Sequence, residues 1–324
     1  MPVKQIKRVL VIKLGDLGGM VLAFPAFERI RAAHPRANIT LLTTAPFASL
    51  AKSSPFFNAV EADGRPPDPA SWTALVLRLR RARYDRVYDL QNDAGSNLIF
   101  QALRPLPPEW SGTAIGCGLP HRNRQRAKMH PLERQAEQLR DAGIWPDAPT
   151  RPLSAPPPDI SWILARNAHL RPTRSAGGQR PLVVMSPGGA EPAARWPIEQ
   201  YAELARRLQD EGFDVVVTGD LDEATMAHAI QRKAPRARDL TGRTDFAQIA
   251  ALGARAALAV GNDIGALHLL AAAGAPTIAL FSSSSDPAIS APRGHVTVLH
   301  AAQLKDLTVE SVLRPALGLA RAMT

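Results

Sequence analysis

The apolar run Val9-Leu10-Val11-Ile12 stops abruptly at Lys13-Leu14-Gly15-Asp16-Leu17-Gly18-Gly19. A run rich in β-branched residues, with no polar alternation, reads as a strand buried on both faces, and such strands belong to parallel sheets. The pattern opens again at Leu182-Val183-Val184-Met185, which ends in Ser186-Pro187-Gly188-Gly189. Parallel neighbours need crossover connections, usually helices. The spacing supplies them. Phe24, Phe27, Ile30 and Arg31 recur at helical intervals around Pro25, and further strands are expected at 39–44 and 86–90 with a helix at 46–53. In the second half a helix runs from Pro197 to Gln209 and is closed by Gly212. Strands at 213–218, 257–260 and 277–281 then alternate with helices at 223–233, 246–253 and 265–273. This alternation argues for a doubly wound α/β architecture.

The chain has 324 residues, which at about 150 per domain suggests two domains. Between Pro105 and Pro158 the composition shifts to Pro, Arg and Gly, with one helical stretch at 132–141. Pro152 to Pro158 (PLSAPPP) reads as an extended linker, followed by a short helix at 160–168 and a loop at 171–180. Two Rossmann-like domains are therefore expected, residues 1–157 and 158–324, facing a central cleft, with the final helix free to pack back on the first.

Composition narrows the function. The single cysteine, Cys117, excludes a disulfide framework and a Cys-rich zinc module. The best apolar stretch, 9–27, is broken by Lys13, Asp16 and glycines, so it cannot span a bilayer. It also lacks the h-region and cleavage site of a signal peptide. A soluble cytoplasmic protein is expected. Lys and Arg number 39 against 29 Asp and Glu, a formal charge of +10. That excess suits nucleic acid, an anionic membrane or a phosphorylated substrate. Few aromatics interleave with the basic tracts Arg78–Arg86 and Arg122–Lys128, so a platform for stacked bases is not supported.

Three turns can carry chemistry. Val260-Gly261-Asn262-Asp263-Ile264-Gly265-Ala266-Leu267-His268 reads as strand, small-residue turn, helix. Backbone N–H groups at such a helix start can approach an anion closely. Asp263 reads equally well as a helix cap, and His268 as an ordinary helix residue. Ser186 to Ala190, followed by Arg195-Trp196-Pro197, offers amides and a charge to phosphate, or else is a surface loop anchored by Trp196. The first turn, Lys13 to Gly19, is out of phase with G-x-G-x-x-G. That disfavours a nicotinamide oxidoreductase and leaves a tight turn presenting Asp16. No H-E-x-x-H or clustered His/Cys spacing offers a metal site. Ser282 to Ser285 lacks the nucleophile-elbow pattern, and Cys117 reads as a buried or incidental thiol.

The blocks VLVIKLGDLGG…FPAFERIRAAHP, SPGG…RWPIEQYAELARRL, DLTGRTDFAQIAAL and VGNDIGALHLLAAAGAPTIALFSSSSDP resemble, in that order, glycosyltransferase family 9. This family comprises the bacterial heptosyltransferases of lipopolysaccharide core synthesis. The likeness spans nearly the whole chain and is thinnest between Pro105 and Arg180. It implies a GT-B fold, with the acceptor on the N-terminal domain and the donor on the C-terminal one. It also implies inverting, metal-independent transfer with no cofactor. The implied donor is a nucleotide-sugar, ADP-heptose. The implied acceptor is phosphorylated lipid A with Kdo, or a growing core, met at the cytoplasmic face of the inner membrane. A first-loop acid would deprotonate the acceptor hydroxyl, and N–H dipoles and positive charge would stabilise the leaving diphosphate.

Carried over residue by residue, the family's base position falls on Gly19. Asp16 is the acid this loop offers, so Asp16 is the candidate base, with Lys13, Gly18 and Gly19 at the acceptor. The usual lysine before R/H-W-P is Ala194, with Arg195 as its possible substitute. G-N-D-T-G-P reads Gly261 to Ala266, so a phosphate-binding hydroxyl becomes Ile264 while the amides of Gly265 and Ala266 survive. The implied donor set is Gly188, Gly189, Arg195, Glu223 at the ribose, Arg243 on the adenine side, Asp263, Gly265, Ala266 and His268. Two readings stay open: an active transferase, or a pseudo-glycosyltransferase that binds or scaffolds, because Gly19, Ala194 and Ile264 replace the base, lysine and threonine. The basic N-domain tracts suggest contact with an acidic lipid-linked glycan and the membrane; nucleic acid is not expected as a partner.

Overall fold

The computed structural model describes residues 5–146, 155–170, 180–189 and 194–322. The chain divides into two compact units, Met1–Pro156 and Pro157–Thr324. Part of the expected linker (152–154), nearly all of the 171–180 loop, and Ala190 in the second turn lie outside the described residues.

The first unit carries strands β1 (Arg8–Ile12), β2 (Asn38–Leu42), β3 (Ala59–Glu61), β4 (Arg86–Asp89), β5 (Glu109–Gly112) and β6 (Leu119–Pro120). Its helices are α1 (Leu17–Val21), α2 (Phe24–Ala33), α3 (Ala48–Ser53), α4 (Pro69–Ala82), α5 (Ala94–Ala102) and α6 (Pro131–Asp141). The strands form one parallel sheet in the order β3-β2-β1-β4-β5-β6. Leu10, Ile12, Val87 and Trp110 of the sheet pack against Leu75 and Leu79 of α4 and Ile99 and Phe100 of α5. Both helices start at an aspartate whose carboxylate accepts the N–H three residues on: Asp68 from Ser71, and Asp93 from Ser96. Such caps satisfy amides that the helix itself leaves open.

The second unit carries α7 (Ser161–Arg166), β7 (Leu182–Ser186), α8 (Ile198–Asp210), β8 (Asp214–Val217), α9 (Ala224–Lys233), β9 (Arg238–Asp239) and α10 (Phe246–Arg255). It continues with β10 (Ala256–Asn262), α11 (Gly265–Ala272), β11 (Thr277–Ser282), α12 (Pro287–Ser290), β12 (Val296–Ala301) and α13 (Val309–Arg321). Its sheet is also parallel, in the order β12-β11-β10-β7-β8-β9. Numbered from β7, this is the strand order of the first unit. Two Rossmann-type sheets result, as the fold reading required. The final helix contributes to the core of its own unit. α13 packs on α8 and β10, and its Val312, Leu313, Ala316 and Ala320 join the second unit's own core. Its amphipathic stripe already finds an apolar partner beside the sheet that precedes it.

Strand order selects the functional edge. In each sheet the direction of winding reverses between the first strand and the fourth in chain order, which pair directly, β1 with β4 and β7 with β10. Ligands of open α/β sheets bind beyond the carboxyl ends of the strands at this reversal. The three turns singled out by sequence follow β1, β7 and β10.

Candidate active site

At the second unit's reversal, the turn after β7 is held by Asn262, the last residue of β10. Asn262 is fully buried. Its Nδ2 donates to the carbonyls of Pro187 and Gly188, both at 2.8 Å. Its Oδ1 accepts the Trp196 N–H and the Tyr201 hydroxyl, both at 3.1 Å. One amide therefore joins β10, the glycine turn and the start of α8. Arg195 completes the turn from the other side, donating through Nε and Nη2 to the Gly189 carbonyl at 2.8 and 2.6 Å. Its guanidinium thus shapes the loop.

Glu223 lies across the ends of β7 and β8. A β-carbon on Gly188 or Gly219 would stand in the space of its carboxylate. Glu223 also accepts the Asp220 N–H at 3.0 Å. Two glycines from separate strands thus leave room for one carboxylate at the rim. The neighbouring turn is tied in by the Gly242 N–H, which donates to Gly219 O at 2.8 Å, and Arg243 is exposed beside it.

Helix α11 starts at Ile264 with no side-chain cap. Asp263 is therefore not the cap; its Oδ2 accepts the Ser290 hydroxyl at 2.9 Å. An uncapped start leaves the amides of Gly265 and Ala266 to a ligand anion, with the helix dipole behind them. His268 is buried in the first turn of α11. A 540 Å³ hollow lined by Pro187, Arg195, Trp196, Ser282 and Lys305 opens at the same edge.

In the first unit, Asp16 caps α1: its Oδ1 accepts the Gly19 N–H at 2.7 Å, and its carboxylate is exposed. A β-carbon on Gly19 would lie 3.1 Å from Lys13 Nζ and 3.3 Å from Asp16 Oδ2. The loop thus brings Lys13, Asp16 and Gly19 together. The Leu14 N–H is held by Gln91 Oε1 at 3.0 Å, which locks this turn to the one after β4.

Beneath these residues lies a cluster that the sequence reading missed. Asp89, at the end of β4, is fully buried and accepts the N–H groups of Gln91 and Asn92 at 3.1 and 2.8 Å. Gln138 of α6 donates to Asp89 O at 2.8 Å and accepts from Asn92 at 2.9 Å. Arg134, one turn earlier on α6, and Arg126 are both largely withdrawn from water. Burial, together with neighbouring Arg134, holds Arg126 at about 10, and burial lowers Arg134 as well. Burial also lowers Lys13 to about 8, against the opposing pull of Asp16. Burial raises Asp89 to about 6. Lys13, Arg126 and Arg134 thus stand near one another over the buried Asp89, with Asp16 and Asp93 also close to Lys13, and cations held partly out of water are groups with which an anion can pair. Its signal in the sequence was the i, i+4 spacing of Arg134 and Gln138 on an amphipathic helix. Cys117 is buried and its thiol faces the Gly112 carbonyl.

The model of glycosyltransferase family 9 (heptosyltransferase) matches residues 72–314. Lipopolysaccharide heptosyltransferase 2 of Escherichia coli K12 is 30% identical over 306 residues, 89% of this chain and 86% of that protein. The solved structure of the E. coli ADP-heptose heptosyltransferase II is 26% identical, with a TM-score of 0.75 over 98% of this chain and 99% of that one. E. coli heptosyltransferase WaaC with ADP shares the fold, with a TM-score of 0.75 at 20% identity over 96% and 99% of the two chains.

Proposed function

The chain belongs to glycosyltransferase family 9, and from that premise we propose that it moves heptose from ADP-heptose to a lipopolysaccharide core acceptor. The observation that carries this reading is the second unit's edge. There an uncapped helix start, a glycine turn clamped by Asn262 and the Glu223 carboxylate stand together. The α11 amides would take the diphosphate, and Glu223 the ribose hydroxyls. The charge developing on the leaving diphosphate would be met by fixed dipoles needing no reorganisation. In the first unit Asp16 would accept the proton of the attacking hydroxyl, and inversion follows from one direct displacement. No step requires a metal. Lys13, Arg126 and Arg134 would hold an anionic group of the acceptor, a phosphate or a sugar-acid carboxylate. We place the enzyme at the cytoplasmic face of the inner membrane, where such an acceptor is lipid-linked.

One observation favours a second reading, a binding protein without turnover: the Asp16 carboxylate is engaged as a helix cap, and the family's base position is Gly19. Two measurements together separate the readings. ADP should stabilise the protein by about 2.7 kcal/mol at a hundredfold excess over its Kd. Incubation with ADP-heptose and a lipid A–Kdo acceptor should release ADP. Stabilisation with no release from any of several donors selects the binding protein, and neither response overturns both readings.

The first-unit cluster makes acceptor binding depend on pH. Lys13 loses its charge as pH rises through about 8, so affinity for the anionic acceptor should fall there. In Lys13→Met the acceptor titration should be weak and flat from pH ~7 to ~9.5. Fold stability should move the opposite way. The folded-state value lies below the unfolded one, so the unfolded chain binds more protons between them, and stability rises with pH over that window. Isothermal titration and thermal melts at the same pH values check both limbs.

A further inference from the structure

The edge of the first sheet opposite the candidate active site is strongly basic and carries exposed apolar side chains. Lys7 and Arg8 stand at the start of β1, and Arg80, Arg81 and Arg83 at the end of α4. Arg86 begins β4, and Arg104 follows α5. The carboxylates facing them are Asp85 and Glu109. Asp85 accepts the backbone N–H groups of Lys7 and Arg8 at 2.9 and 3.0 Å, and Glu109 is paired with Arg86. Seven cations thus meet two carboxylates. A hollow of about 1050 Å³ lies among Arg80, Arg83, Arg86 and Arg104, and one of about 580 Å³ among Lys7, Arg81 and Arg83. Arg80 Nη2 donates to the carbonyls of Ala102 and Arg104 at 2.6 and 3.1 Å, which pins the loop beyond α5. On that loop Leu106 is 90% exposed, and Ile115, near Arg104, is 86% exposed.

We propose that this face docks on the surface of an anionic phospholipid bilayer. Arginines at headgroup level with leucine and isoleucine beyond them match a charged interface over an acyl layer. Nucleic acid would use the charge but would gain nothing from the two apolar tips. The proposal rests on the membrane placement given above and is independent of which sugar is moved. It also sorts the two basic tracts. Arg81, Arg83 and Arg86 belong to this face. Arg126 belongs to the other end of the sheet, where it reaches Gln138 and His121. Strands of about five residues at roughly 3.3 Å each keep the two edges some 15 Å apart, so docking and transfer are separable.

The test is flotation of the full chain with phosphatidylcholine vesicles, with and without phosphatidylglycerol. Binding should require phosphatidylglycerol and weaken with salt. The side chains of Lys7, Arg81 and Arg83 make no hydrogen bond or ion pair among the described residues. The triple change Lys7→Gln, Arg81→Gln, Arg83→Gln should therefore fold normally. It should lower binding about fivefold per charge, roughly a hundredfold in all. Leu106→Ser should weaken binding while leaving its salt dependence in place. Transfer to a delipidated, water-soluble acceptor should be unchanged in both variants. Equal flotation of the triple variant and the parent would move the docking surface elsewhere while leaving the membrane placement standing. No flotation of the parent on phosphatidylglycerol, or its preference for an RNA oligomer over those vesicles, would overturn both. Neither outcome bears on sugar transfer, which the soluble acceptor reads separately.

Discussion

Asp16→Asn is expected to lower turnover on the order of 10²–10⁴-fold without changing the melting temperature. The separation is possible because asparagine caps a helix as well as aspartate does. The bond to the Gly19 N–H survives the change, while the group able to take a proton is lost. Asp16→Ala removes the cap as well and should cost about 1 kcal/mol of stability. Gly19→Asp sharpens the result. It places a second carboxylate beside Asp16 and within reach of Lys13 Nζ. If Asp16 is the base, the added carboxylate supplies no group the reaction lacks, so turnover should not rise. A rise in Gly19→Asp, with Asp16→Asn silent, would assign the chemistry to position 19 and leave Asp16 as a cap only. Steady-state ADP release and thermal melts on the three variants decide it.

Asn262→Leu should lower stability on the order of 4 kcal/mol and weaken ADP binding at least about tenfold. The leucine fits the buried strand end but answers none of the four groups that Asn262 serves. The Pro187 and Gly188 carbonyls, the Trp196 N–H and the Tyr201 hydroxyl would be left without it. Unmet buried polar groups cost about 1–3 kcal/mol each, and relaxation of the turn recovers part of that sum. Because this loss approaches the whole stability of many domains, Asn262→Asp is the companion variant. It keeps both acceptor bonds and loses both donor bonds. It should fold, with a melting temperature between the other two, and should still bind ADP poorly because the glycine turn is no longer held. Urea unfolding and ADP titration measure the two effects. Wild-type ADP affinity in Asn262→Asp would mean the clamp serves the fold alone.

What could be read in the sequence followed from burial. β1, β7, β10 and β11 announce themselves because strands covered on both faces are nearly pure apolar runs. The edge strands β3, β6 and β9 are two or three residues long and bury too little to leave a pattern. α4 begins Pro-Ala-Ser-Trp-Thr-Ala-Leu-Val-Leu, whose β-branched and aromatic residues blur the helical period. At the site, backbone-based features were legible because glycine turns after strands have a compositional mark. Side-chain clusters were not. Asp89, Arg126 and the pair Arg134 and Gln138 come from three places along the chain and converge only through the sheet order. Asn262 was visible inside the motif, yet its role depends on Tyr201, sixty-one residues earlier.

The Glu223 carboxylate sits where a β-carbon on Gly188 or Gly219 would be. The three positions therefore form one inheritable unit. A side chain gained at either glycine displaces the acid as surely as deleting it, although neither glycine has a side chain of its own to offer. Among related chains, 188 and 219 should drift only where 223 has first become short. A comparison of many sequences would then register a coupling whose origin is exclusion of volume, with no chemistry exchanged among the three.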